Sequence, residues 1–264
     1  MIEIKSRIVH FSDCHISPHG NFVEESFDWA VKDINNLDPE PDIAILSGDL
    51  TDNGVLKEYE LAVTKLDTLE PKVLVAPGNH DEKNFGQSLF QEMIGPVDHE
   101  LKLRETSIFI TDSPQPDRDE GRLGRRRQTN LEEEMGRLGP NAIKILVFHH
   151  HLVSVPFSGR DQDVLEDAGD ILDMVLRHKV NLVLMGHRHV RRTLQIYDTL
   201  LVNAGTTSSI RTRGRLGHSY NIVDVLTNDV IRVTERNITE RKSSVLGTFK
   251  IQNPSLIQQE LPLQ

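Results

Sequence analysis

The stretch "FSDCHIS", residues 11–17, puts an acid and an imidazole two positions apart, Asp13 and His15, directly after an apolar run. Residues i and i+2 of a strand face the same way. If that geometry continues past the run, Asp13 and His15 point together and Cys14 points back. Similar polar groups follow four other apolar runs: Gly48-Asp49 after "IAILS", Gly78-Asn79-His80-Asp81 after "VLVAP", His149-His150-His151 after "ILVF", and Gly186-His187-Arg188-His189 after "LVLM". Each fragment is common alone. Their repeated appearance just past buried runs delivers carboxylates, imidazoles and an amide to one rim, because ligands gather at the carboxyl ends of strands in open α/β sheets. Donors of this kind, without thiolate, suit divalent ions such as Mn²⁺, Fe²⁺ or Zn²⁺.

The elements that must carry these residues follow from periodicity. Apolar runs at 8–11, 43–46, 72–76, 143–148 and 180–185 read as buried strands. Amphipathic stretches at 21–37, 55–69 and 163–179 read as helices, with a weaker one at 83–95. The alternation implies βαβ units and a largely parallel sheet. Residues 100–105 and 107–112 read as paired strands. Residues 113–141 form a polar insertion rich in Pro, Gly, Arg and Glu, with room for one short helix around "NLEEEM". From 190 onward short strands dominate, expected to pair antiparallel as a second sheet. Residues 1–240 are expected to form one domain, followed by a tail over 241–264.

The chain has 264 residues, 37% hydrophobic and 27% charged, as expected of a globular protein with a sizeable core. Its single Cys permits no internal disulfide. No apolar stretch is long enough to span a bilayer, and the first residues lack a signal-peptide core, so a cytoplasmic location is expected. A net charge of −10 argues against broad binding to nucleic acid, but not against a small anionic substrate at a metal.

The order and content of the motifs resemble the calcineurin-like metallophosphoesterase family: "DCH", "GD", "GNHD", a His after a strand, and "GHRH". The resemblance runs from Asp13 to His189. It implies an α/β fold, a four-layer α/β/β/α sandwich of two sheets flanked by helices, and a two-metal centre. One metal would be held by Asp13, His15 and His189, the other by Asn79, His149 and His187, with Asp49 bridging them. His150 is the alternative to His149, while His151 is expected beside the site or at the surface. His80 would lie over the substrate with Asn79, stabilising phosphoryl oxygens or protonating the leaving alcohol. Asp81 either orients His80 or caps the helix at 83–95. Gly48, Gly78 and Gly186 are expected where backbone angles need glycine.

The implied reaction is phosphoester hydrolysis by a hydroxide generated at the metals. The branch most similar contains bacterial cyclic-nucleotide phosphodiesterases and glycerophosphodiesterases, so a phosphodiesterase acting on 3′,5′-cyclic nucleotides such as cAMP is the leading expectation. Hydrolysis of monoesters or lipid-linked pyrophosphates, DNA cleavage and a non-catalytic metal-bound scaffold are the alternatives. Charge disfavours DNA, and an acid over the site disfavours the scaffold. Arg188, Arg191, Arg192, Arg211, Arg213 and Arg215 cluster in sequence and suit phosphate recognition.

Overall fold

The computed structural model describes residues 3–139, 142–159, 164–214, 216–227 and 229–251. Two six-stranded sheets pack face to face. The first has the order β12-β11-β10-β1-β2-β3 and the second β4-β5-β6-β7-β9-β8. In the first, β1 (Ile4–Phe11), β2 (Ile43–Ser47) and β3 (Val73–Ala76) run parallel, while β10 (Ser219–Leu226), β11 (Val230–Asn237) and β12 (Lys242–Lys250) extend it antiparallel. In the second, β5 (Thr106–Ile110), β6 (Ile143–Val147), β7 (Leu182–Met185) and β9 (Thr199–Asn203) are parallel; β4 (His99–Leu103) and β8 (Arg192–Ile196) form antiparallel edges.

The central strands of each sheet are apolar almost throughout because both of their faces are covered, while the edge strands β4, β8 and β12 carry exposed polar residues. Ile8, Ile43, Ile45, Ile145, Val147, Leu182, Val202 and Val223 fill the space between the sheets. Their neighbours along the same strands point outward. Val9, Phe11, Ala44 and Leu46 meet Phe27, Ala30, Ile34, Tyr59 and Phe90, which are carried by α1 (Glu24–Asn35), α2 (Leu56–Leu66) and α3 (Gly86–Met93). Phe109, Leu146 and Val183 meet Leu131 and Met135 of α4 (Gly124–Gly136) and Ile171, Met174 and Val175 of α5 (Ala168–Arg177). The result is the four-layer α/β/β/α sandwich.

Three expectations are revised. The strands after residue 190 do not form their own sheet. β8 and β9 complete one sheet and β10 and β11 the other, since β9 pairs parallel with β7 and β10 pairs with β1. The segment expected to be a tail supplies β12 as far as Lys250, and 252–264 lies outside the described residues. The polar insertion holds the thirteen-residue α4, longer than the short helix expected, and the Asp167 carboxylate accepts from the amides of Leu123 and Gly124 at its start.

Register brings the motif loops together. Pairing of Phe11 with Leu46 and of Ser47 with Ala76 makes the first three parallel strands end side by side. The loops beyond stay laced: Asp13 N donates to Gly48 O at 3.0 Å, His15 N to Asp49 O at 3.0 Å and Ile16 N to Leu50 O at 2.8 Å. Within the second sheet, Gly186 N donates to His149 O at 2.9 Å, and across the sandwich His187 N donates to Asp13 Oδ2 at 3.1 Å and Thr207 N to Ser12 O at 3.0 Å. The rim therefore spans both sheets, not one open sheet.

Candidate metal centre

Asp13 and His15 converge, but not by extending the strand. Both adopt left-handed backbone, with φ of 53° and 49°, and Cys14 between them is fully buried in the core beneath α1. Asp49, His187 and His189 also lie at positive φ, of 54°, 76° and 56°. Only one of the three glycines flanking these groups needs its backbone freedom. Gly48 has φ +99°, while Gly78 and Gly186 are required for space: a Cβ on Gly78 would lie 2.1 Å from Asp49 N, and one on Gly186 1.9 Å from Ser12 Oγ.

Asp13, His15, Asp49 and His189 are buried, and one potential ligand atom from each lies within 4.8 Å of the others. His15 Nε2 is 3.1 Å from His189 Nε2 and 3.5 Å from Asp49 Oδ2, and His189 Nε2 is 3.3 Å from Asp13 Oδ1. The other expected set meets beside it. Asn79 Oδ1 is 3.1 Å from both His149 Nε2 and His187 Nδ1. His149 Nε2 is 3.4 Å from Asp49 Oδ1. Asp49 thus turns one carboxylate oxygen to each set.

The hydrogen bonds behind these groups decide where the ring protons sit. A carbonyl or carboxylate can only accept. His149 Nδ1 donates to Ser47 O at 2.8 Å, His15 Nδ1 to Asp52 Oδ1 at 3.0 Å, and His189 Nδ1 to Arg211 O. Each ring therefore turns its Nε2 inward, toward the oxygens of Asp13, Asp49 and Asn79. The amides of His187 and His80 donate to Asp13 Oδ2 at 3.1 Å and Asp49 Oδ1 at 2.9 Å, and the remaining carboxylate, amide and imidazole ligand atoms crowd together in a buried spot where charge must be compensated. Backing of an imidazole by a carbonyl or carboxylate is how ligating histidines are oriented. The donor set fits two divalent cations.

The acids and imidazoles of the cluster are strongly coupled electrostatically. Burial lowers the pKa of His149, but the carboxylates of Asp49 and Asp13 override it and push it up to about 9. For Asp49, burial works to raise the pKa and the imidazoles of His149, His80 and His15 override it, holding the carboxyl well below the usual range. His187 is held neutral by burial and by its neighbours His150 and His149.

His149 faces the cluster and His150 does not. Both ring nitrogens of His150 are already used, Nδ1 by the Ser113 hydroxyl at 2.9 Å and Nε2 by Asp119 O at 3.1 Å. His151 is fully buried, not at the surface. Asp81 does neither thing expected of it. Its carboxylate accepts from Leu50 N, Thr51 N, Thr51 Oγ1 and Gly78 N, at 2.8–3.1 Å, tying the second motif loop to the third. The cap residue of α3 is Phe85. His80 is oriented instead by Asp52 O, which accepts from Nδ1 at 2.6 Å, and by Asp49 Oδ1, which accepts from its amide at 2.9 Å; Lys83 Nζ lies 3.2 Å from either ring nitrogen.

A cavity of about 180 Å³ opens over the centre, lined by His15, Asp49, Asn79, His80, Asp119, His187, Arg188, His189, Arg211 and Arg213. Asp52, Lys83 and Asp119 were not anticipated. Asp52 stands three residues after Asp49 in "GDLTD", a spacing with no periodic signal. Asp119 comes from the polar insertion and accepts from Asn79 Nδ2 at 3.3 Å. Of the clustered arginines, Arg188, Arg211 and Arg213 reach the cavity. Arg191 pairs with Glu235 at 2.8 Å, Arg192 lies exposed on β8, and Arg215 lies outside the described residues.

Two packed mixed sheets, with a buried acid–imidazole–amide cluster across their carboxyl-end rim, define a metal-binding α/β/β/α hydrolase scaffold. Residues 6–191 match the calcineurin-like phosphoesterase family, and the chain belongs to that family. The chain is 28% identical over 218 residues to a probable glycerophosphodiester phosphodiesterase, GpdQ, of Arcobacter nitrofigilis, covering 76% of this chain and 78% of that one. It is 26% identical to a probable cyclic nucleotide phosphodiesterase of Xenorhabdus bovienii, over 70% of this chain and 79% of that protein. Among solved structures, the purple acid phosphatase PPD1 from yellow lupin superposes with a TM-score of 0.74 at 14% identity, over 94% of this chain. The chain spans about half of that protein, 53% of its length, and the likeness is one of fold.

Proposed function

We propose that the protein is a metal-dependent phosphodiesterase, with 3′,5′-cyclic nucleotides such as cAMP as its first substrate class. Asp13, His15 and His189 would hold one divalent cation, Asn79, His149 and His187 a second, and Asp49 would bridge them. The observation that carries this reading is the buried convergence of the seven side chains, with the imidazoles of His15, His149 and His189 each held from behind at Nδ1 and turned inward at Nε2. The diesterase names of the relatives support the choice of ester.

Bound there, two divalent cations would lower the pKa of a shared water and neutralise phosphoryl oxygens. The chain's own contribution is positioning. Asn79 has its amide NH₂ toward Asp119 and its oxygen toward the imidazoles, so it stands between centre and substrate. His80 Nδ1–H donates to Asp52 O, leaving Nε2 as the atom that meets the ester; from the imidazolium, the Nε2 proton would pass to the departing alcohol oxygen and leave a neutral ring still bound to Asp52 O. Arg188, Arg211 and Arg213 put positive charge on the wall of the cavity, which suits an anionic substrate in a chain of net charge −10. A cytoplasmic setting belongs to the same reading and is supported by the single, buried Cys14.

The test is elemental analysis of the purified protein, paired with hydrolysis of bis-(p-nitrophenyl) phosphate, p-nitrophenyl phosphate and cAMP with added Mn²⁺, before and after chelation. We expect two bound metals, chelator-sensitive turnover and a higher kcat/KM for the diester than for the monoester. Monoester preference would move the assignment to phosphatase. No hydrolysis with any divalent metal would remove the enzymatic reading.

A further inference from the structure

We propose that Phe157 and Phe85, two exposed aromatic residues on turns whose neighbouring residues are hydrogen-bonded to the cavity wall, are specificity-determining residues that take a planar ring of the substrate's organic part, a nucleobase being the natural case. This inference deepens the phosphodiesterase reading and rests on it for the position of the phosphate.

Phe157 occupies a conformation its sequence does not favour. Val155-Pro156-Phe157-Ser158 is a turn closed by Ser158 N and Ser158 Oγ, which both donate to Val155 O, at 3.3 and 2.7 Å. Proline suits its second position. The third, held here at φ 70°, is where Gly or Asn is expected. A bulky residue with such a φ is an outlier, and its side chain is 81% exposed, so no packing rewards it. Phe85 repeats the arrangement. It follows Asn84, also left-handed, has φ 64°, and is 88% exposed.

Both are anchored to groups that line the cavity. The carbonyl of Ser158, next to Phe157, accepts from Arg188 Nη2 at 2.7 Å and Arg213 Nη1 at 2.6 Å. Phe85 lies two residues after Lys83, whose Nζ meets His80, and Asn84 N donates to Asp117 Oδ1 at 2.9 Å, two residues before the cavity-lining Asp119. The turn carrying Phe157 is thus tied to the arginines of the cavity, and the turn carrying Phe85 to the side of His80 and Asp119. Tyr197 is equally exposed and left-handed, but it sits on the turn entering β9, at the end of the sheet away from the centre. Position, not exposure alone, singles out the two phenylalanines. Strained residues that nothing in the fold rewards cluster at ligand clamps, and exposed aromatic faces stack planar rings without sequence preference.

The experiment uses the full chain loaded with Mn²⁺ and the F85A/F157A double variant. Two esters share one leaving group: thymidine 5′-(p-nitrophenyl phosphate), which carries a base, and methyl p-nitrophenyl phosphate, which does not. Binding of 5′-AMP and of ribose 5-phosphate is measured alongside by calorimetry. The parent is expected to favour the base-bearing ester in KM, and AMP over ribose 5-phosphate, each by about tenfold. The double variant is expected to lose both preferences while keeping its rate on the methyl ester. A parent with no preference for AMP, or a variant that keeps it, overturns the inference. Failure of the parent to cleave either ester sinks the phosphodiesterase reading instead, and the AMP comparison then decides the aromatic pair by itself.

Discussion

Replacing Gly48 with Ala is the smallest change that should disable the centre without touching a ligand. A Cβ built there lies 2.3 Å from His149 Nδ1 and 2.6 Å from its Cγ, against ordinary contact at 3.4 Å or more. The ring must retreat by about 1 Å, or the turn must open. The turn resists, because Gly48 O accepts from Asp13 N and Ser47 O from the His149 ring. Alanine at φ +99° adds backbone strain of about 1–2 kcal/mol. A ring displaced by ~1 Å carries its Nε2 away from Asp49 and Asn79, and misplacement of that size costs on the order of 100-fold in rate. Gly169→Ala in α5 is the control, since nothing lies within 4 Å of its added methyl. Metal content by elemental analysis and kcat on bis-(p-nitrophenyl) phosphate should show Gly48→Ala short of its second metal and about 100-fold slower, with Gly169→Ala like the parent. A Gly48→Ala protein that keeps two metals and more than half its rate would refute the argument that His149 packing against this turn sets the site.

Asp49→Ala should lose both metals, because its two oxygens face the two ligand sets, whereas His80→Ala should keep its metals and lose about 10²–10⁴ in kcat; elemental analysis beside kinetics separates them, and a metal-free His80→Ala would refute its placement. Asp52→Asn weakens the carboxylate that accepts from His15 Nδ1, and should lower metal affinity about 10–100-fold in a competition titration. Asp112 gives a pH signature away from the centre. Burial and the neighbouring Glu82 push it up to about 8 against the pull of Arg127. A carboxyl raised on folding adds stability below its unfolded value of about 3.9, and that stability is lost as pH climbs through 8. Asp112→Asn should therefore be more stable than the parent at pH 9, by on the order of 3 kcal/mol, and not at pH 5. Denaturant melts at both values test it, and a less stable variant at pH 9 would mean the Arg127 ion pair outweighs the burial.

The sequence announced the centre because its chemistry sits at strand ends. Asp13, Asp49, Asn79, His149 and His187 each follow a run that burial on both faces makes uniformly apolar, so an abrupt polar residue stands out. Asp52 and Lys83 escaped because their roles depend on the shape of a turn, and turns impose no period. Asp119 escaped because it comes from a segment whose composition resembles solvated loop. Asp81 looked like a partner of its neighbour His80 but points the other way, into the amides of 50, 51 and 78. The division of the late strands between two sheets was invisible for a related reason: apolar alternation shows that a strand is buried, not which edge it joins.

Left-handed backbone at Asp13, His15, Asp49, His187 and His189 links fold to chemistry. At about 1 kcal/mol or more each, these residues store roughly 5 kcal/mol that glycines would relieve. Glycine would remove the donor, so the strain is inseparable from having a ligand at each sharp turn. It is held by the surroundings: Thr206 Oγ1 donates to Asp13 O at 2.7 Å, Ser208 Oγ to Cys14 O at 2.8 Å, and Thr207 N to Ser12 O at 3.0 Å. These partners all lie in the segment just after β9, so the second sheet braces a turn that leaves the first. The ligand turns of the two sheets are thus tied to one another by hydrogen bonds. The ligand atoms of the centre accordingly stand 3.1–3.5 Å apart, the spacing of a preorganised site built to be completed by cations.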